Sequence, residues 1–234
     1  MTSSAEPKPA APALVWPSLD TAGLEAIGKA RSEAVNLVQW LARIANSFVA
    51  GDTPQQRVTL TFRSGDAAFV TGVFDANLAL EMRLPVLEMQ FLQAGEPVPH
   101  VLDPEEHSPA EVEAWILVEL LHHGVDRAKF TKALPYSVAD LMSGDAEDHS
   151  PQSCRQALVL LETWYRNAAT VLQTATGTTG CACWPQDLSL RCRRTPRHRH
   201  AASRQATQTT RNRSSSRMQR RRTDQALPPR NSRS

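Results

Sequence analysis

Residues 57–63 read Arg-Val-Thr-Leu-Thr-Phe-Arg, and this stretch decides the fold class. Val58, Leu60 and Phe62 alternate with polar residues, so an extended chain places the three apolar side chains on one face. The opposite face carries arginine and threonine side chains, which suit solvent. The alternation predicts a β-strand with one buried and one solvated side, as in an antiparallel sheet.

The chain that follows predicts further antiparallel strands. Ser64-Gly65-Asp66 is a turn, and residues 67–74 have the pattern of its return strand. Apolar residues alternate again over 78–84 and over 87–91, and a short segment at 98–102 is a candidate edge strand. Because no helical segment separates these runs, the sequence predicts a sheet of about four strands in antiparallel order.

Helical patterns flank the predicted sheet. Between residues 24 and 48 the apolar positions recur with a period of about 3.6 residues, which predicts a long first helix. Ser108-Pro109-Ala110-Glu111 is a capping box with proline at the first helical position, and it begins a second helix. Ser150-Pro151 begins a third. The predicted fold class is therefore α+β, with two later helices covering one sheet face.

Composition divides the chain into three parts. Residues 1–13 predict a disordered leader that lacks the basic start and apolar stretch of a signal peptide. Residues 14–175 predict a single α+β domain, and residues 176–234 a linker and a disordered Arg/Ser-rich tail. No apolar run approaches the roughly 18 residues of a membrane span. Without an export signal, we expect a cytoplasmic protein in which disulfides do not form.

The last 44 residues differ from the rest of the chain in charge. From Arg191 onward there are 14 arginines, no lysine and one acid, whereas the preceding 190 residues hold 12 basic and 23 acidic side chains. The formal charge is therefore −11 before Arg191 and +13 from there on. With so few apolar residues, this segment cannot bury enough surface to offset its ordering entropy, so we expect it to be disordered.

Two interpretations of the arginine-rich tail stay open. As an RNA-binding arm, it would neutralise phosphates and release their counterions. The candidate contacts in that case are Arg211, Arg213, Arg217, Arg220, Arg221 and Arg222. Alternatively, the tail is the product of a shifted reading frame. In GC-rich coding DNA, an alanine codon that is read out of frame readily becomes an arginine codon. The absence of lysine favours the second interpretation, since lysine serves an electrostatic arm well.

Three groups of residues combine the types found in catalytic or metal sites. His122 and His123 with Asp126 offer metal ligands, but adjacent helical residues diverge by about 100°, so both histidines do not easily reach one ion. The segments Glu105-Glu106-His107 and 145–149 (Asp-Ala-Glu-Asp-His) pair carboxylates with histidine, as acid–base catalysis requires. Their position just before helix N-termini explains the negative charge equally well. The sequence therefore identifies no catalytic residue.

Cysteine and histidine residues also cluster on both sides of the start of the tail. Cys181, Cys183, Cys192, His198 and His200 are soft metal ligands within 20 residues. Structural zinc sites usually use two Cys/His pairs, each spaced by about 2–4 residues. A one-residue gap and a single later cysteine do not match that spacing, so we predict neither a metal nor another cofactor.

Several short motifs resemble an uncharacterised family of bacterial proteins of unknown function. They are Trp16-Pro17 with the helix around Val38-Gln39-Trp40, the later helix Trp164-Tyr165-Arg166-Asn167-Ala168-Ala169, and Cys183-Trp184-Pro185. The resemblance spans roughly residues 14–185. Just past Pro185, histidines, phenylalanine and aspartate typical of the family give way to Gln186-Asp187-Leu188-Ser189, which also favours a disturbed reading frame. The resemblance implies no known activity.

Three function classes stay open. A non-catalytic binding or accessory protein, our first hypothesis, predicts an apolar pocket between sheet and helices. An RNA-binding protein predicts affinity that depends on the tail. An enzyme predicts polar groups with perturbed pKa values converging in the pocket.

Overall fold

The computed structural model of this chain describes residues 14–192. The predicted leader and the six arginines proposed as RNA contacts lie outside the described residues. Within that range four α-helices form: α1 (Thr21–Phe48), α2 (Pro54–Val58), α3 (Pro109–His122) and α4 (Arg155–Thr176). Seven strands accompany them: β1 (Leu60–Arg63), β2 (Ala68–Val70), β3 (Leu78–Arg83), β4 (Met89–Gln93), β5 (Glu96–Leu102), β6 (Cys181–Trp184) and β7 (Ser189–Arg191).

All seven described strands belong to one antiparallel sheet in the order β5-β4-β3-β2-β1-β6-β7. The α+β class and the long first helix are confirmed, whereas the expected number of about four strands is wrong. The additional strands β6 and β7 form where we expected a linker. Leu60 of β1 lies opposite Cys183 of β6, so this part of the sheet depends on a pairing between distant parts of the chain.

The pattern at residues 57–63 predicted the faces of β1 correctly but misplaced its start. Leu60 and Phe62 are buried and Thr61 is exposed, as the alternation requires. The preceding residues form α2 instead of a strand. Thr53 and Gln56 make a reciprocal capping box there, which satisfies free amides at the start of the helix.

Helices α1 and α4 pack together on one face of the sheet and enclose the main core. Leu37, Leu41 and Ile44 of α1 are fully buried. On α4, Leu158 and Leu161 join the same core, and the Tyr165 ring lies 5.6 Å from Phe62 and 5.5 Å from Phe69. The two helices that we expected after the sheet strands are both present, as α3 and α4.

Helix α3 begins and ends as its sequence predicts. The Ser108 hydroxyl accepts from the Glu111 amide at 3.3 Å, and the Glu111 carboxylate accepts from the Ser108 amide at 2.8 Å. Gly124, just past the helix, has φ +71°, a left-handed conformation that glycine adopts without strain. The Trp115 ring on this helix lies 5.6 Å from Phe91 of β4.

The opposite sheet face carries a buried charge. Glu81 of β3 is 2% exposed and pairs with Arg63 and Arg83, the second at 3.3 Å. Around it lies a small apolar cluster of Ala68, Val70, Ala79 and Leu92. This face therefore combines ion pairs with small side chains, unlike the aromatic and leucine-rich face beneath the helices.

The cysteines differ from expectation. Cys181 and Cys192 lie opposite each other on β6 and just past β7, with Cα atoms 4.7 Å apart, and form a disulfide. Our prediction that disulfides would be absent is therefore wrong for this pair. None of the helices formed by residues 14–192 combines the length and apolarity required to cross a membrane.

Candidate binding groove

An apolar groove lies between α4, the chain segment before α1 and the β6–β7 hairpin. Its volume is about 320 Å³. The lining is Trp16, Trp164, Tyr165, Ala168, Leu172, Leu188 and Leu190. Three aromatic rings and three leucines thus converge on a concave surface beside the sheet, the kind of surface that takes an apolar ligand.

The segment before α1 is fixed to one wall of the groove. Asn167 of α4 donates its side-chain amide to the Val15 carbonyl oxygen at 2.7 Å. This bond places the neighbouring Trp16 over the groove, where the indole stays 52% exposed. A half-exposed tryptophan of this kind offers a large apolar surface that a ligand can cover.

The hairpin forms the other wall, and Tyr165 ties it to α4. The phenol donates to the Leu188 carbonyl oxygen at 2.7 Å. Burial raises the pKa of Tyr165, so the hydroxyl stays protonated and keeps donating at neutral pH. The α1 residue Arg31 donates to the Asp187 carbonyl oxygen at 3.0 Å and holds the same turn from a second side.

A buried glutamine fixes the beginning of this turn. The Gln39 side chain of α1 is fully buried and donates to the Pro185 carbonyl oxygen at 2.8 Å and to the Val35 carbonyl oxygen at 2.9 Å. Its own oxygen accepts from the Tyr136 hydroxyl at 2.9 Å. The side-chain amide of Gln39 thus uses both its nitrogen and its oxygen in hydrogen bonds and ties the start of the turn to α1.

Residues of the short motifs at 16–17, 38–40, 164–169 and 183–185 meet around this hairpin. Gln39 bonds to Pro185 and Tyr165 bonds to Leu188, while Trp16 and Trp164 face the same groove. Sequence reasoning named these residues without assigning them a common location. Their distance along the chain hid the convergence, since the first lies near residue 16 and the last near residue 188.

A second, wider cleft of about 690 Å³ lies on another side of the hairpin, between α2 and strands β6 and β7. Thr53, Gln56 and Thr59 line it together with Trp184 and Arg191. The Trp184 ring already packs against Tyr136 at 5.4 Å. Polar atoms make up a larger share of the surface of this cleft than of the groove.

The two acid–histidine segments lie side by side in the structure. They are joined through their backbones, because the Glu106 amide donates to the His149 carbonyl oxygen and the His149 amide to the His107 carbonyl oxygen, both at 3.0 Å. The His149 ring is 1% exposed and lies 3.2 Å from the carboxylate of Glu33 on α1. Sequence reasoning missed Glu33, since a glutamate in an amphipathic helix ordinarily faces solvent.

The cysteine group does not provide the thiolates that a zinc ion needs. Cys181 and Cys192 are joined in the disulfide, and burial raises the pKa of the remaining Cys183 thiol. His198 and His200 lie outside the described residues.

The two adjacent histidines at the end of α3 lie near different oxygens of one carboxylate. His122 Nδ1 lies 3.3 Å from one oxygen of Glu119, whereas His123 Nε2 lies 4.0 Å from the other. Asp126 instead accepts from the Ala128 amide at 3.0 Å and caps a short turn.

No protein-family model, curated protein or solved structure matches the chain.

Proposed function

We propose that the protein is a non-catalytic binding protein that holds a small, apolar, ring-containing molecule in the groove. The observation that carries this proposal is the convergence of Trp16, Trp164 and Tyr165 with three leucines on one concave surface. Aromatic rings stack on other rings with a gain of about 0.5–1.5 kcal/mol per pair beyond area burial.

The size of the groove limits the ligand. An enclosed apolar cavity of about 150 Å³ holds benzene, whereas this groove of about 320 Å³ is open on its solvent side, so a molecule of two or three rings can lie along it with one face in solvent. Tyr165 already donates its hydroxyl proton to Leu188, so the groove wall offers mainly apolar contact. We therefore expect affinity to follow the apolar area of the ligand and to depend little on salt.

The chemistry of the lining favours binding over catalysis. Tyr165 is the one ionisable residue among the described residues that line the groove. Burial raises the pKa of its hydroxyl. The hydroxyl is therefore poorly suited to exchange a proton near neutral pH, as acid–base catalysis would require. An enzyme acting in this groove would therefore need groups beyond these residues.

RNA binding through the tail is the alternative function. It rests on composition alone, since Arg211, Arg213 and their neighbours lie outside the described residues. The part of the chain before Arg191 carries a formal charge of −11, which repels phosphate. A cytoplasmic location and a shifted reading frame in the tail also remain proposals.

Titration of the full chain with N-phenyl-1-naphthylamine, a ring compound that fluoresces in apolar surroundings, tests the groove. We expect saturable binding that Trp16→Ala and Ala168→Leu each weaken at least tenfold, the first by removing a stacking surface and the second by filling the groove. Val159→Ala, on the exposed side of α4, is the matched control and should bind like the parent protein.

Thermal melts of all variants ensure that the comparison is made between folded proteins. Equal dye affinity in the parent and both groove variants would overturn the proposal. Salt-dependent binding of an RNA oligonucleotide, lost on deletion after Cys192, which keeps β7 and the disulfide, would instead favour the alternative.

A further inference from the structure

A second site lies between β5 and the end of α3, and none of its residues lines the groove. We propose that His100, Glu119 and His122 bind a zinc ion there. The ligand atoms of these three side chains, one from each, all lie within 4.8 Å of one another. His100 comes from the edge strand β5, whereas Glu119 and His122 are three residues apart on α3 and share one helix face.

The carboxylate of Glu119 is the centre of this site. The residue is 3% exposed, yet its partners are imidazoles: His100 Nδ1 at 2.9 Å and His122 Nδ1 at 3.3 Å from the same oxygen. None of the described lysines and arginines forms an ion pair with it. Buried carboxylates are found paired with a cation or coordinating a metal, because an isolated buried charge is strongly unfavourable.

The donor set selects the ion. Two imidazole nitrogens and one carboxylate oxygen suit zinc and neighbouring transition metals, whereas magnesium and calcium prefer oxygen ligands alone. Three protein ligands leave a fourth tetrahedral position for water. In such a site the ligand atoms lie about 2.0–2.2 Å from zinc and therefore roughly 3.3 Å apart.

The side chains can close to that geometry. The imidazoles of His100 and His122 are 60% and 53% exposed, so both rings are free to rotate toward an ion at the surface side of Glu119. The buried carboxylate, in contrast, is held in place by its surroundings and provides the fixed point of the site.

His123 lies next to the same carboxylate but is not one of the proposed ligands. Its Nε2 atom lies 4.0 Å from the second oxygen of Glu119, which is beyond hydrogen-bond distance, and its ring packs 6.2 Å from Phe91. We therefore expect its removal to leave all three ligands of the zinc ion in place.

Isothermal titration of the full chain with zinc chloride, in a buffer that does not chelate zinc, tests this site. We expect one ion per chain, with affinity weakened at least tenfold in His100→Ala and lost in the double variant His100→Ala/His122→Ala. Both imidazoles are exposed, but their removal takes partners from the buried Glu119 carboxylate, so thermal melts must show that each variant is still folded at the titration temperature. His198→Ala/His200→Ala is the matched control, since it removes two histidines elsewhere, and it should retain the affinity.

Cobalt(II) provides a readout at the metal itself. Added to the parent protein in place of zinc, it should give the visible absorption of a four-coordinate ion, and the double variant should lack that absorption. His123→Ala, which leaves the three proposed ligands in place, should keep the spectrum. Absence of saturable zinc binding, or equal affinity in the parent and the double variant, would overturn the proposal.

Discussion

Gln39 and Pro185 are joined by a 2.8 Å hydrogen bond although 146 positions separate them along the chain. The bond fastens the last hairpin of the sheet to the first helix. It is buried, and the same side chain also accepts from Tyr136, whose pKa is raised by burial so that the phenol stays a donor. The β6–β7 hairpin, which forms one wall of the groove, is therefore held by a side chain of the helical layer, Gln39 of α1.

Replacing Gln39 by alanine should lower the free energy of unfolding by about 2–4 kcal/mol, because the Pro185 carbonyl and the Tyr136 hydroxyl would lose their buried partner. Urea unfolding measures this change. Gln55→Ala, at an exposed position of α2, should change stability by less than about 0.5 kcal/mol. Equal effects of the two substitutions would contradict the role assigned to Gln39.

Leu161→Ala should cost about 2–5 kcal/mol, since this leucine of α4 is 4% exposed and belongs to the main core. Val159→Ala, two residues away and 47% exposed, should cost far less. Denaturant melts of both variants compare a buried and an exposed side of one helix. A loss below about 0.5 kcal/mol for Leu161 would show that its face of α4 does not pack as described.

The capping box of α3 should make stability depend on pH. Hydrogen bonds from the Ser108 amide and hydroxyl lower the pKa of Glu111 below its ordinary value of 4.5. A lowered pKa contributes stability above the ordinary value, and this contribution is lost as pH falls through the folded-state pKa. Glu111→Ala should therefore destabilise the protein at pH 7 and much less near pH 2. A penalty independent of pH, in melts at both values, would show that the charge does not matter.

The Cys181–Cys192 disulfide closes a short loop, since the two cysteines are 11 positions apart along the chain. Its reduction should lower stability by about 2–3 kcal/mol and the melting temperature by roughly 5–10 °C. Cys192→Ser should melt at that lower temperature with or without reductant. Mass spectrometry that finds four free thiols in protein purified without reductant would refute the bond and restore our first expectation.

Local signals in the sequence predicted much of the fold. Alternation assigned Leu60 and Phe62 to the buried face of β1, and the Ser108–Glu111 pair located the start of α3 within one residue. The same alternation misled at Val58, because a valine is buried equally well at the end of a helical turn and in a strand. There the Thr53–Gln56 capping box carried the decisive information.

Non-local pairing explains what could not be predicted. Strands β6 and β7 have four and three residues, too few for a periodic signal, and β6 forms because β1 offers a free edge. Glu119 lies between Val118 and Leu120 on a helix, where a glutamate ordinarily indicates the solvent side. Only the approach of His100 from β5 reveals that its carboxylate is enclosed.

The position of β1 inside the sheet, between β2 and β6, has a consequence for synthesis on the ribosome. Strands β1 to β5 can pair in the order in which they emerge, but the other edge of β1 waits for residues 181–184. At about 5–20 residues per second, that edge stays open for roughly 6–24 s. A nascent chain paused in this interval presents bare amides and carbonyls beside the apolar Leu60 and Phe62, so premature termination before β6 should yield a product prone to edge-to-edge association.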